Sequence, residues 1–333
     1  AGLAQVEHPL LGAVTGLVDD DQVVVMTGRL STSTQSWLAG HVMGERLVFP
    51  ATGFVEVVLA AGEVVGCPVI EELVLRSPLV LAEDAPTDVQ ITVQPVDEGG
   101  RRRFSVHSRV GNQQESSSAS WVLHASGMVS VAGRHPTPVP VPAPAVQPID
   151  ADRFYGELAE LGYSYESLFR SVRGVGVDAG DAGVVAAWVE LPTGSEVAGF
   201  GVHPALLDAA LHPLVVVLSG AADAGGPVRP RVPFVVSGVR VYATGATRLQ
   251  VVWTRTGPDT VQMLGVDAAG EPVVSIDSLT LRDLPEDIAP PSVAAGGEGL
   301  FDLSWVELAG DSWEAAGGEA AGDGSGWVVL VDG

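Results

Sequence analysis

Residues 50–66 hold a helical run too apolar to lie on a protein surface. Phe54, Val57, Val58, Ala61, Val64 and Val65 recur at i, i+3, i+4, i+7, i+10 and i+11, with Pro50 at the start and Gly66 at the stop. A surface helix needs one polar face, so a run like this must be wrapped by something else. Strand-like segments supply the wrapping: Val69–Leu75, 89–93, 104–107 and 121–131 alternate or run β-branched, with turn residues between them. Asp97-Glu98-Gly99-Gly100 reads as a hairpin loop and 113–118 as a polar loop. A long buried helix followed by antiparallel strands predicts an α+β fold, a sheet curled around a helix. Upstream, His8-Pro9-Leu10-Leu11-Gly12 predicts a short edge strand, and residues 23–26 a strand that Gly28 ends.

The pattern occurs twice. Pro204 suits the first turn of a second helix over 203–220, where Leu206, Leu207, Ala210, Leu211 and Leu214 recur at helical spacing. A short helix at 154–161 and strands at Val172–Val177 and 184–191 precede it. Strands at 234–242, 249–254, 261–266 and 273–281 follow it. The two helix starts lie about 154 residues apart, which predicts a duplicated architecture. Between the halves, Pro136, Pro138, Pro140, Pro142, Pro144 and Pro148 predict an extended tether, because spaced prolines prevent sheet pairing. The expected organisation is a first half over 1–133, a linker over 134–148, a second half over 149–285 and a further segment over 286–333.

A chain of 333 residues can bury two such cores, and its charge narrows what they could bind. With 17 basic against 41 acidic residues the formal net charge is −24, so nucleic acid and anionic membrane are not expected partners. No apolar run approaches the ~20 residues of a membrane span, and no basic-then-apolar leader opens the sequence. Cys67 is the single cysteine, which excludes an internal disulfide framework and a multi-thiolate metal site. No metal is expected, and the cysteine usage favours a cytoplasmic setting.

Chemistry is concentrated in the second helix. Asp208 stands in an almost wholly apolar run, and His212, four residues on, shares its face. A buried carboxyl must find a partner or hold its proton to higher pH, and a carboxyl that stays neutral can donate that proton. From these residues alone, an Asp–His pair on a helix surface reads equally well. His41 lies just before the first helix, so a pocket between the halves would join the His41 imidazole of one half to the Asp208 carboxyl of the other.

Several motifs change that balance. His41 and Pro50 stand nine residues apart with Gly44 between them, and Ala51-Thr52-Gly53-Phe54 follows. His203-Pro204-Ala205-Leu206-Leu207-Asp208 leads into Asp-x-x-x-His at Asp208 and His212, and His8-Pro9-Leu10-Leu11-Gly12 opens the chain. Over residues 1–285 the chain resembles the dehydratase domains of modular type I polyketide synthases, which have a double hotdog fold. Relatives place the first glycine one residue later, where this chain has Glu45, and follow the proline with glycine, where it has Ala51. Where they carry Tyr-Gly-Pro, this chain has Tyr165-Glu166-Ser167, and where they carry Pro-Phe-x-Trp it has Pro233-Phe234-Val235-Val236. Residues 300–333 look like the start of a following ketoreductase region.

The resemblance implies a hydro-lyase that eliminates water from a β-hydroxyacyl thioester, as expected of enzymes of antibiotic biosynthesis. His41 would be the base, Asp208 the acid, and His212 would orient Asp208. Tyr165 would help to hold the leaving hydroxyl, with Pro50, Phe54 and Phe234 along the substrate channel. A backbone N–H within 52–54 would polarise the carbonyl. No intrinsic cofactor is implied, since the substrate rides on the phosphopantetheine arm of an acyl carrier protein. Partners would be that carrier and the other domains of the synthase, in a homodimer joined through the N-terminal strand. Arg229 and Arg231 are placed for a carrier contact, and Arg101-Arg102-Arg103 for a solvated hairpin end. Two alternatives use the same residues differently: a double-bond isomerase or pyran-forming cyclase, and a catalytically silent structural module.

Overall fold

The computed structural model describes residues 4–16, 22–82, 85–110, 121–131, 143–177, 183–220 and 231–283. All of them lie within one unit, Ala1–Val293. The expected loop at 113–118, Arg229 and the segment 286–333 fall outside the described residues.

Two central helices organise the molecule, α1 (Ala51–Val64) and, after the short α2 (Ala151–Glu160), α3 (Pro204–Gly220). Pro50 caps α1 in extended geometry, φ −65° and ψ 147°, a conformation its ring favours. Phe54, Val57, Val58 and Ala61 of α1 are buried, as are Leu206, Leu207, Ala210 and Leu214 of α3. Asp150 caps α2 by accepting the N–H groups of Asp152 and Arg153.

The first half contributes β1 (Ala4–His8), β2 (Leu11–Gly16), β3 (Val24–Leu30), β4 (His41–Met43) and β5 (Arg46–Leu47). After α1 come β6 (Val69–Leu75), β7 (Thr87–Val96), β8 (Arg101–Val110) and β9 (Val122–Ser130). The second half contributes β10 (Gln147–Pro148), β11 (Tyr163–Tyr165), β12 (Val172–Val177) and β13 (Val184–Glu190) before α3. Then follow β14 (Arg231–Val241), β15 (Arg248–Arg255), β16 (Thr260–Val266) and β17 (Pro272–Asp283).

Fourteen of these strands form one antiparallel sheet, ordered β1-β2-β3-β7-β8-β9-β6-β14-β17-β16-β15-β13-β12-β10. The two expected sheets are therefore fused, through the pairing of β6 with β14, where Leu73 faces Val236. α1 packs on β6, β7 and β9, α3 on β12, β13 and β15, and the helices touch each other. The fold is the α+β double hotdog. Among the described residues, no helix is long and apolar enough to cross a membrane.

Two local expectations fail for physical reasons. Gly28 does not end its strand but lies inside β3, where a Cβ would fall 2.0 Å from the Leu10 carbonyl oxygen. Its role is to admit the backbone of the β1–β2 turn. The proline-rich tether does pair: Gln147 and Pro148 oppose Val175 and Gly174 at the outer edge of the sheet. Proline is tolerated there because an edge strand can turn its missing N–H away from the ladder.

Candidate active site

The second half delivers the partner strand of His41. In a small separate sheet, β4 pairs with β11, so that His41 lies opposite Tyr165 and Met43 opposite Tyr163. The Glu166 N–H donates to the Gly40 carbonyl at 2.9 Å and closes the strand pair at its end. His41 Nδ1 lies 2.8 Å from the Val48 carbonyl oxygen. A carbonyl only accepts, so Nδ1 carries the hydrogen, and in the neutral ring Nε2 is left with the lone pair. That nitrogen lies 3.7 Å from Asp208 Oδ2, and both residues are buried.

Asp208 is held from both halves. Its Oδ2 accepts from His212 Nε2 at 3.0 Å, and its Oδ1 lies 3.4 Å from the Thr52 hydroxyl, which donates to the Pro204 carbonyl at 3.0 Å. Burial pushes the Asp208 carboxyl up. The charge of a protonated His41, the His212 N–H and the Thr52 hydroxyl together outweigh it, and the net shift is downward. The expectation of a carboxyl raised by apolar surroundings is thus corrected. Its neighbours along the helix are apolar, but its partners across the repeat are not.

His212 is fully enclosed. Burial lowers its pKa, which keeps the ring neutral with Nε2–H directed at Asp208. Its other nitrogen lies 3.5 Å from the Tyr155 hydroxyl, which itself donates to the Phe169 carbonyl and accepts the Val172 N–H, each at 3.0 Å. The Tyr165 ring lies over His212 with centroids 3.8 Å apart and 5.6 Å from the His41 ring. Burial raises the Tyr165 phenol far above its usual value, so it stays a neutral hydroxyl.

A cavity of about 100 Å³ adjoins these groups, and His212, Tyr155 and Thr52 are not part of its lining. His41, Tyr165, Asp208 and Phe54 line it, with Met43, Val48, Phe49 and Leu214 as apolar walls and Arg231 and Arg282 among the remaining lining. Pro50 and Phe234 stand outside the lining. Pro50 is occupied as the cap of α1, and Phe234 lies at a register shift of β14 with the Arg282 guanidinium 4.4 Å from its ring centre. Arg231 is engaged by Asp259 and Asp283, and its N–H by the Tyr163 hydroxyl. In the expected carbonyl-binding stretch, the Gly53 N–H donates to the Pro50 carbonyl at 2.9 Å. Sequence reasoning missed Thr52, Glu56 and Tyr155. For Thr52 and Glu56 a signal existed: two polar residues four apart inside a run otherwise too apolar for any surface.

A family model for the polyketide synthase dehydratase domain matches residues 8–109, and one for the polyketide synthase dehydratase N-terminal domain matches residues 133–291. Polyketide synthase GfsE of Streptomyces halstedii is 40% identical over 334 residues, which cover 97% of this chain and 9% of that protein. The pikromycin polyketide synthase component PikAII of Streptomyces venezuelae is 39% identical over 329 residues, 95% of this chain and 8% of that protein. The chain thus spans less than a tenth of these curated relatives. Among solved structures, a chain studied for dehydratase substrate selection in the borrelidin and fluvirucin polyketide synthases is 38% identical. It has a TM-score of 0.74 and covers 85% of this chain and 98% of its own. The bifunctional dehydratase-cyclase domain of ambruticin biosynthesis is 32% identical with a TM-score of 0.73, covering 86% of this chain and all of its own (100%).

Proposed function

This chain belongs to the polyketide synthase dehydratase domains, hydro-lyases of β-hydroxyacyl thioesters, and on that premise we propose that His41 is its base and Asp208 its acid. The observation that carries the assignment is the approach of His41 Nε2 and Asp208 Oδ2, from opposite repeats, to 3.7 Å beside one cavity. Nε2 of neutral His41 takes the α-proton, and the electron pair moves toward the thioester carbonyl. An N–H at the opening of α1 polarises that carbonyl. The C–O bond at the β-carbon then breaks as Asp208 gives its proton to the departing hydroxyl, and water leaves. His212 holds Asp208 in place, and Tyr165 contacts the hydroxyl.

The downward shift of Asp208 fits this cycle. Elimination ends with imidazolium beside carboxylate, the charge state in which His41 holds the Asp208 pKa down. The starting state carries the same single proton of the pair on Asp208, with His41 neutral and its electrostatic pull gone. Return of the proton from Nε2 to Oδ2 resets the pair.

The substrate is carried on the phosphopantetheine arm of an acyl carrier protein, and the domain works as a homodimer beside the other domains of a cytoplasmic synthase. Residues 134–148 tether two hotdog halves, and 286–333 lead toward a ketoreductase region. The test offers the protein a β-hydroxyacyl chain on carrier protein, or a short thioester surrogate, and follows mass. Loss of one water is expected, and unchanged mass with unchanged structure would leave only a silent module. A second reading, ring closure or double-bond shift by the same pair, is favoured by the full-length likeness to the ambruticin dehydratase-cyclase. Unchanged mass with a new ring or chromophore would select it.

A further inference from the structure

Glu56 is 2% exposed in the middle of α1, and the elimination proposed above gives it no part. Its carboxyl reaches out of its own half. Oε1 accepts the Gly201 N–H at 2.6 Å and Oε2 the Val202 N–H at 3.1 Å, in the turn that leads into α3. Oε1 also lies 3.2 Å from His8 Nε2. The other nitrogen of that ring accepts the Leu10 N–H at 3.1 Å, so Nε2 is the one that carries the hydrogen and donates. Three donors from two distant stretches therefore converge on one buried carboxyl.

An independent contact joins the same stretches. Gly199 has φ +82°, and a side chain there would come within 2.9 Å of Pro9 Cδ. The turn over 199–202 is thus moulded on the bend at His8-Pro9, with Glu56 beneath both. The His8 and Phe200 rings meet edge to face at 5.7 Å above it. What this turn positions is the start of α3 at Pro204, and about one turn along that helix stands Asp208.

We propose that Glu56 is a positioning residue: it fixes the turn that launches α3, and with it the placement of Asp208 against His41, and it ties that placement to the N-terminal bend. The proposal rests on the reading of His41 and Asp208 as the reacting pair. Without the carboxyl, the buried Val202 N–H and the half-buried Gly201 N–H lose their acceptor, and the turn must move to satisfy them. A misplacement of about 1 Å between reacting groups costs about 10²-fold in rate. Thr52 holds the Pro204 carbonyl independently at 3.0 Å, which limits the movement and the expected loss.

The decisive variant is Glu56→Gln, equal in size but forced to set an amide NH₂ against one of the donors. Val58→Ala, on the same helix and fully buried, removes packing alone and serves as the control. Both are assayed with a short β-hydroxyacyl thioester at a temperature where circular dichroism shows them folded, beside wild type and Asp208→Asn. Glu56→Gln is expected to lower kcat about tenfold, the size of a sub-ångström misplacement, with KM changed less than about twofold. It should also shift the pH profile of kcat/KM and speed hydrogen exchange at the Gly201 and Val202 amides. Val58→Ala should lower the melting temperature and do none of these. Wild-type kcat in folded Glu56→Gln, or an equal kcat loss in Val58→Ala, overturns the proposal while an inactive Asp208→Asn upholds the reacting pair. Normal turnover in Asp208→Asn overturns both.

Discussion

The two central helices bury the same device, two polar side chains four residues apart, and aim it at different targets. On α1, Thr52 and Glu56 make their shortest bonds to backbone, the hydroxyl to the Pro204 carbonyl and the carboxyl to the Gly201 and Val202 amides, with Asp208 and His8 as their longer contacts. On α3, Asp208 and His212 point at titratable side chains, His41 and Tyr155, beside a cavity. Backbone amides, which cannot change protonation near neutral pH, take one oxygen of Glu56 each, and the one imidazole beside it, His8, lies 3.2 Å from an oxygen already taken. A carboxyl between two imidazoles can exchange its proton. Burial in an apolar helix is therefore no mark of an acid catalyst by itself; the partners decide.

The largest expected effect tests that distinction directly. Asp208→Asn and His41→Ala should each lose about 10²- to 10⁴-fold in kcat, the usual worth of a positioned acid or base. Both should keep the far-ultraviolet circular dichroism of wild type. Thr52→Val keeps the His212 hydrogen bond to Asp208 and removes the 3.4 Å contact with Oδ1 and the 3.0 Å bond to the Pro204 carbonyl, so its loss should stay well below either. A Thr52→Val variant as dead as Asp208→Asn would erase the line drawn between the helices.

How much of this was legible from residues alone follows from the range of the forces involved. Periodicity is local, so α1 and α3 could be read from their apolar spacing, and the pairing of His41 with Asp208 from motif spacing together with duplication. The fusion of two sheets at β6 and β14 leaves no local mark, because both strands look like any buried strand. Three-residue β4 and β11 are too short for an alternation to show, yet their pairing sets Tyr165 opposite His41. The direction of the Asp208 shift was missed for a similar reason. Thr52 lies 156 residues from Asp208 in the chain, and only the folded arrangement brings its hydroxyl near the carboxyl.

The halves also share a smaller device. His8-Pro9 turns the chain from β1 into β2 and His203-Pro204 opens α3, and in both the ring Nδ1 accepts the N–H two residues on at 3.1 Å. His8 has the Glu56 carboxyl beside it, whereas His203 is packed between Trp37 and Phe200, with ring centres at 5.0 and 4.6 Å. Burial drives the His203 pKa down to about 4. The unfolded chain then binds a proton near pH 6.5 that the folded chain refuses until about 4, so stability falls as pH drops through that window. The loss from this residue should be about 3 kcal/mol, and the downward shifts of His124 and His212 add in the same direction. His203→Asn keeps an acceptor for the Ala205 N–H and removes the titration. Urea unfolding between pH 4 and 7 should show a flatter dependence in this variant, and an unchanged slope would refute the assignment.

The smallest effect lies where the second half departs from its relatives. Among the described residues, Ser167 is the single non-glycine residue with positive φ, at 49°. It occupies the place of the proline in the relatives' Tyr-Gly-Pro, and a proline ring locks φ near −65°, so the two backbones cannot be alike here. Ser167 is exposed, and its carbonyl accepts the Arg170 N–H at 3.1 Å, an interaction glycine would preserve. A left-handed residue carries a steric cost of about 1–2 kcal/mol, part of which returns as the greater freedom of glycine in the unfolded chain. Ser167→Gly should therefore stabilise by about 0.5–1 kcal/mol and leave turnover unchanged. Ser167→Pro should destabilise and disturb the stack of Tyr165 on His212, visible as a change in near-ultraviolet circular dichroism. If proline is accepted without cost and glycine destabilises, the left-handed turn is not the native one, and the departure from the relatives two residues after Tyr165 is one of sequence alone.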